Sequence, residues 1–288
     1  MTVHVLVPVF NRLHHTKRLM EALRGQTIAD RLNIIITNDG STDGTSEYLR
    51  AQPDVVELSG DGNLWWGGAI ELGLRHVLRD KKPGDYVVFL NNDTWFGRDY
   101  LETLVRVSQS HGGAAVGSVI HETGRNPPLV SIGPRVDINR VGVWDLLDDL
   151  PLDERDKPKP YYRVDALSGR GTLYPVEPFD RWGTMRPFLL PHYLADYEIA
   201  MRFARRGVPL IVSSEAIIHS PAVYGGDVSG MGFWERCLSV RSSSNIVRRF
   251  IFFMLVGSPL QRATAPLRVG MFGLARLVKL QGSSRHKT

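Results

Sequence analysis

The sequence predicts an α/β fold built on a mostly parallel sheet with helices on both faces. Strand-length apolar runs rich in Val and Ile alternate with helical stretches over the first 120 residues, and strands apolar on both faces need covering on both faces. Polar clusters follow two of these runs directly. In such sheets ligands bind beyond the carboxyl ends of the strands. Finally, 288 residues with 43% hydrophobic and 23% charged content can bury an ordinary core.

In chain order, Val3–Phe10 is the first apolar run, followed by a helical stretch Thr16–Arg24. Asn33–Thr37 is the second strand, closed by the turn-rich Asn38–Gly44. A helix over Gly68–Arg79 leads into a third strand, Tyr86–Leu90. Residues 121–160 are rich in Pro, Asp and Arg and read as loops or an excursion over the sheet. The core resumes at Tyr161–Leu167, then a helix Asp196–Arg206 ended by Gly207, then a strand Pro209–Val212. No internal repeat is visible.

The single cysteine, Cys237, excludes a disulfide framework and reads as a small buried apolar residue. No secretory signal and no apolar run near the ~18 residues needed to span a bilayer is visible. The expectation is a cytoplasmic protein, peripheral on the inner face of a cell membrane. The net charge of +5 conceals a division. No acidic residue follows Glu235, whereas 10 of the 35 Lys and Arg do, leaving 25 basic against 30 acidic residues before that point. A mildly acidic globule carries a basic tail, which suggests an anionic partner.

The chemistry gathers at strand and helix ends. In Thr37-Asn-Asp-Gly-Ser-Thr-Asp-Gly-Thr45, Gly40 permits a tight turn, Ser41 or Asp43 can cap the next helix, and Asp39 projects beyond the strand. There its carboxylate could accept hydrogen bonds from a base imide or ribose hydroxyls, or simply close a capped turn. Asn91-Asn92-Asp93 offers one carboxylate with adjacent amides, a site for a hard cation and a ribose or a solvated turn. Trp65-Trp66 could stack on a sugar or base or fill core. We expect one to line a site and the other to pack, with Gly67-Gly68 allowing a ligand close to the backbone.

In this order the pieces resemble family 2 glycosyltransferases, which have the GT-A fold, over roughly residues 1–245. Pro8-Val9-Phe10-Asn11-Arg12 is similar to the family's first-strand signature, and the NDGSTDGT turn to its nucleotide-binding turn, with Asp39 the uridine- or thymidine-contacting acid. Asn63-Leu-Trp65-Trp66-Gly67-Gly68-Ala69 resembles the loop and helix that close over the donor in bacterial cell-surface polysaccharide enzymes. Asn91-Asn92-Asp93 stands in the place of the metal-binding Asp-x-Asp, with Asn91 replacing the first Asp, so Asp93 is the expected ligand of Mn²⁺ or Mg²⁺. His219 falls where the family often places a His that helps bind metal or diphosphate. Arg241 resembles a later basic element that contacts donor phosphates.

The acceptor side resembles Gly169-Arg170, then His192-Tyr193-Leu-Ala-Asp196-Tyr197-Glu198. In the family an acidic pair starts this helix and its Asp is the catalytic base. Asp196 holds that position, with Ala195 replacing the first acid. A helix N-terminus favours a carboxylate. The resemblance implies a metal-dependent inverting transferase that takes a UDP- or dTDP-sugar to a lipid-linked or polysaccharide acceptor, the sugar being rhamnose, galactofuranose or a hexose. A non-catalytic nucleotide-sugar-binding scaffold of the same fold is the alternative, supported by Asn91 and Ala195.

The expected division is a catalytic domain over 1–245, with a donor half 1–120 and an acceptor half 121–245, and a tail over 246–288. On a helical wheel Leu267, Met271, Leu274, Leu277 and Val278 oppose Arg268, Arg276 and Lys279. With Ile251–Leu255 this reads as a basic amphipathic membrane-surface element, or as a helical pair that packs on the catalytic domain or forms a homodimer. Nucleic acid is not expected as a partner, because the rest of the chain is acidic and carries no recognition module.

Overall fold

The computed structural model describes residues 1–155, 157–221 and 230–270. The chain runs β1 (Val3–Val9), α1 (Leu13–Arg24), β2 (Leu32–Asn38), α2 (Thr45–Arg50), β3 (Val55–Ser59), α3 (Trp65–Asp80), β4 (Tyr86–Phe89), β5 (Trp95–Phe96) and α4 (Tyr100–Ser110). It continues β6 (Ala115–Glu122), β7 (Leu129–Ser131), β8 (Pro134–Asp137), β9 (Gly142–Asp145), β10 (Tyr161–Arg163), β11 (Thr172–Pro175), α5 (Glu177–Trp182), α6 (Ala195–Ala204), β12 (Leu210–Ser220), α7 (Phe233–Leu238) and α8 (Ile246–Val256). A further helical stretch occupies residues 259–270.

The central sheet has the order β10-β12-β6-β11-β4-β1-β2-β3, and β8 pairs β9 in a separate hairpin. Its first half, β3-β2-β1-β4, is parallel, as its apolar runs predict. The second half is mixed: β11 runs antiparallel to both β4 and β6. β3, β6 and β11 are not among the expected strands, and the last strand runs eight residues beyond its expected end. β11 is short and lies next to Gly and Arg, so no periodicity marks it. The stretch 121–160 is more ordered than expected, since it contains β7 and the β8–β9 hairpin.

Alternation along each strand divides the core between the two faces. Leu6, Ile35, Val87 and Phe89 point to one side, where Ile70, Leu74 and Val77 of α3 and Phe203 of α6 cover them. Val5, Val7, Ile34, Ile36 and Val88 point to the other, under Leu19, Met20 and Leu23 of α1 and Leu101 and Leu104 of α4. Helices on both faces follow directly from strands that are apolar on both.

The first helix of the tail packs on the rest of the chain, one of the two arrangements expected for it. Phe252, Phe253 and Val256 of α8 are buried in the same cluster as Leu6 and Ile70, and Arg249 is buried with a 2.8 Å hydrogen bond from its guanidinium to the Val141 carbonyl. The apolar face of 246–256 is therefore covered by protein, not free for lipid. Leu267 is exposed, while Met271, Leu274, Arg276, Leu277, Val278 and Lys279 lie outside the described residues. Among the described residues no helix is long and apolar enough to cross a membrane.

Candidate active site

The carboxyl ends of β2, β1 and β4 are adjacent, so Asp39, Asn11-Arg12 and Asn91-Asn92-Asp93 emerge along one edge of the sheet. Pro8 and Val9 end β1, and the Asp39 N–H donates to the Val9 carbonyl at 2.8 Å. The Asp39 side chain turns onto the chain itself. Its Oδ1 accepts the Gly62 N–H at 2.8 Å, and its Oδ2 accepts the N–H groups of Leu64 at 3.0 Å and Trp65 at 3.2 Å. The residue is only 6% exposed. Asp39 thus holds the 60–65 turn and satisfies donors at the N-terminus of α3, which no side chain at the cap position does. Gly60 is required beside it, since a Cβ there would stand 2.4 Å from Asp39 Oδ1.

Asn11 and Arg12 both adopt left-handed backbone, with φ of 56° and 66°. Asn11 ties two loops together: its N–H donates to Ser41 Oγ at 2.8 Å, and its Oδ1 accepts the Thr42 N–H at 2.9 Å. The kinked backbone sends Arg12 across to β4, where Nη1 donates to Asp93 Oδ2 at 2.8 Å. Arg12 was seen in the sequence only as part of a motif. Its pairing with Asp93 is invisible there, because 81 residues separate them.

Asn91, Asn92 and Asp93 have three different partners. Asn91 Oδ1 accepts the Trp66 indole N–H at 3.0 Å. Asn92 is buried, and its Nδ2 donates to Thr16 Oγ1 of α1 at 3.2 Å. Its Nδ2 thus helps to hold α1 against the end of β4. Asp93 meets Arg12. A cavity of about 250 Å³ opens beside it, lined by His15, Arg18, Glu21 and Trp95 among others.

His219 lies in β12 opposite Trp95 of β5. Their rings are stacked, with centroids 6.0 Å apart and planes at 6°, and His121 of β6 approaches at 5.5 Å. Among the described residues no three His, Cys, Asp or Glu side chains gather as a metal cage. With Asn91 neutral and bonded to Trp66, Asp93 is the one carboxylate of the expected pair. That set suits a hard cation taking most of its oxygens from a diphosphate and water, not one enclosed by protein.

The two tryptophans divide. Trp66 packs edge-on to Phe89, with centroids 5.9 Å apart, and covers Gly169 so closely that a Cβ there would lie 2.1 Å from the indole. Trp65, at φ 54°, faces His192 at 5.9 Å and receives the Arg241 guanidinium at 5.9 Å over its ring. Asn63 is exposed at the turn before them. Gly67 and Gly68 both stand close to neighbouring chain. Added Cβ atoms would meet the Leu190 and Pro191 carbonyl oxygens at 2.8 and 2.9 Å from Gly67, and Leu64 at 3.2 Å from Gly68. The close approach is to protein, and the Gly67 N–H donates to the Pro191 carbonyl at 2.7 Å.

Gly169 connects this edge to α6. Its N–H donates to Asp196 Oδ2 at 2.8 Å, and the Tyr197 N–H reaches Asp196 Oδ1 at 3.0 Å. Asp196 stands in the first turn of α6, after Leu194 in left-handed backbone. Burial of the carboxyl pushes its pKa up to about 6, against the pull of those backbone N–H groups and of Arg170. His192 is driven down to about 4 by burial; its ring lies 4.4 Å from that of Tyr193, tilted at 58°, and its Nδ1 has no hydrogen-bond partner among the described residues. Arg170 Nη1 lies 3.3 Å from Ser220 Oγ. Burial raises the phenols of Tyr193 and Tyr197, which remain neutral. A chain of contacts therefore runs Asn91–Trp66–Gly169–Asp196, and Asp39 joins it through the turn that starts α3.

A similar fold occurs in a crystal structure of GalNAc-T7 with UDP, GalNAc and Mn²⁺. It superposes with a TM-score of 0.65 over 89% of this chain and 47% of that one, at 14% identity, and defines the fold as GT-A. The glycosyl transferase family 2 model matches residues 4–174, more than half of the chain, and the chain belongs to that family. It is 28% identical over 107 residues to glycosyltransferase GlyA of Streptococcus pneumoniae, covering 36% of this chain and 14% of that protein. An uncharacterised glycosyltransferase of Rickettsia bellii is 28% identical over 111 residues, covering 38% of this chain and 15% of its own. The matches thus span a small part of these relatives' length.

Proposed function

We propose that the chain is an inverting glycosyltransferase that moves a sugar from a UDP- or dTDP-sugar to a hydroxyl of a lipid-linked or polysaccharide acceptor, with Asp196 as the base. The observation that carries this is a carboxyl poised at about 6 and linked through Gly169 and Trp66 to the donor edge of the sheet. Inversion needs a base facing the acceptor hydroxyl on the side away from the leaving diphosphate, and a base titrating near neutrality is ionised yet still proton-accepting. A carboxylate held in place by two backbone N–H groups is pre-aimed for that proton.

On the donor side, Asp39 shapes the turn that starts α3, and Trp65 with Arg241 offers a ring and a cation. Asp93, with His219 paired to Trp95 two residues further on, would hold Mn²⁺ or Mg²⁺, which when bound would supply Lewis-acid neutralisation of the leaving diphosphate. Arg12 is the cation next to Asp93 in this structure. The Mn²⁺ and UDP of the GalNAc-T7 structure favour such an arrangement. Peripheral attachment to a cytoplasmic membrane face remains part of the proposal, through the basic residues that follow α8.

Replacing Asp196 by Asn tests the reading. Transfer is expected to fall by about 10²–10⁴, with UDP binding by calorimetry unchanged. Near wild-type turnover removes the base assignment. The scaffold alternative, favoured by Asn91 and Ala195, is decided by incubating the protein with Mn²⁺ and a panel of nucleotide sugars. Binding without hydrolysis or transfer supports the scaffold.

A further inference from the structure

One cavity among the described residues lies apart from the donor edge. It has a volume of about 420 Å³ and lies between β6, the β8–β9 hairpin and the 168–172 segment, within the ~300–1,000 Å³ typical of small-ligand sites. We propose that it is a carbohydrate subsite, holding a neutral sugar ring of a glycan acceptor against the indole of Trp144. The inference rests on the transferase reading, which it deepens by naming the acceptor's chemistry.

Hydroxyls dominate its polar lining: Ser118, Ser131, Ser168, Thr172 and Tyr197. Several donate within the protein, as Ser118 does to the Gly171 carbonyl at 2.7 Å and Ser131 to Asp145. Each also accepts one bond, Ser118 from the Tyr100 hydroxyl at 2.6 Å and Ser131 from the Gly133 N–H at 3.2 Å, which leaves one lone pair apiece to accept from the O–H groups of a sugar.

Trp144 supplies the apolar wall. Its indole N–H donates to Asp149 Oδ1 at 2.8 Å, and its ring lies over Gly142, where a Cβ would come within 3.1 Å. The ring is fixed before any ligand arrives, which lowers the ordering cost of binding. Its negative π-face suits the C–H face of a sugar ring.

Charge selects the class of ligand. Two carboxylates and two guanidinium groups line the cavity. Glu122 pairs with Arg125 at 3.6 Å; Asp145 accepts from Ser131 and from the N–H groups of Ile132 and Leu147 at 3.0 and 2.9 Å. The balance leaves no cationic excess of the kind a diphosphate or phospholipid headgroup would require. A neutral, hydroxyl-rich ring fits better.

Position ties the cavity to the reaction. Ser168 and Arg170 line it and flank Gly169, whose N–H holds Asp196, and Tyr197 lines it next in sequence to Asp196. The donor edge lies on the Trp66 side of the same glycine. A ring in the cavity is therefore beside the base and separate from the nucleotide.

Saturation-transfer NMR on the full chain tests this, using methyl glycosides of glucose, galactose, rhamnose and galactofuranose, with UDP titrated calorimetrically in parallel. At least one glycoside is expected to bind. Trp144→Leu, which keeps apolar bulk in the hairpin, should weaken it by about fivefold or more, and Trp144→Phe should restore much of the loss; UDP affinity should be unchanged in both. Failure of every glycoside to bind, equal binding by Trp144→Leu, or a preference for sugar 1-phosphates over methyl glycosides would overturn the subsite. If glycosides bind through Trp144 while UDP does not bind at all, the subsite stands and the transferase reading fails.

Discussion

Replacing Asp196 with Asn should lower activity and shift stability relative to wild type by an amount that rises with pH. Burial raises this carboxyl from 3.8 to about 6, so the folded state binds its proton more tightly than the unfolded chain does. The group favours folding fully below about pH 4, and that contribution is lost as pH rises through 6. The difference of about two units corresponds to roughly 3 kcal/mol at 1.36 kcal/mol per unit. Asn cannot ionise and escapes the loss. The two backbone N–H groups now bonded to the carboxylate meet a poorer acceptor in an amide, which subtracts a constant at every pH. The stability of Asp196→Asn relative to wild type should therefore rise by about 3 kcal/mol between pH 4 and pH 8, roughly 6 °C in melting temperature for a chain of this size. Urea unfolding across that range measures it. In the same range, kcat/KM of the wild type should fall about tenfold per unit below pH 6. A stability difference that does not vary with pH would refute the idea that this carboxyl is desolvated, and with it the reason for choosing it as the base.

Arg12→Ala should leave Asp93 without its 2.8 Å partner; Mn²⁺ binding by electron paramagnetic resonance should tighten, while stability changes by no more than about 1 kcal/mol because the arginine is half exposed. Gly67→Ala should lower stability by about 1–3 kcal/mol in urea unfolding, since its Cβ would press on the Leu190 and Pro191 carbonyls. Unchanged stability with lost UDP affinity would show instead that the glycine faces ligand. Phe252→Ala should cost about 3–5 kcal/mol, because that ring is fully buried. A small loss accompanied by release from membranes would restore α8 to a lipid-facing role.

Much of this molecule is written locally. The parallel half of the sheet follows from runs such as Ile34-Ile35-Ile36 and Tyr86–Phe89, which bury both faces. Asp39, Asp93 and Asp196 stand out because a carboxylate beside a Gly turn or a helix start is a local pattern. The family resemblance is likewise carried by short motifs. What adjacency along the chain could not contain was the set of partners. Asp39 turns back onto Gly62 and Leu64, Asn92 is fixed to Thr16, Arg12 reaches Asp93, and Gly67 lies against Pro191. Each is a contact across a strand crossing, set by which chain segments the sheet order places side by side. The basic tail shows the same division. Composition revealed its charge and its apolar face, but only packing against α6 and α7 decided that Phe252 and Phe253 are covered by protein. Hydrophobic burial has no direction of its own, so an apolar stripe states that a surface must be covered and leaves to the tertiary structure what covers it.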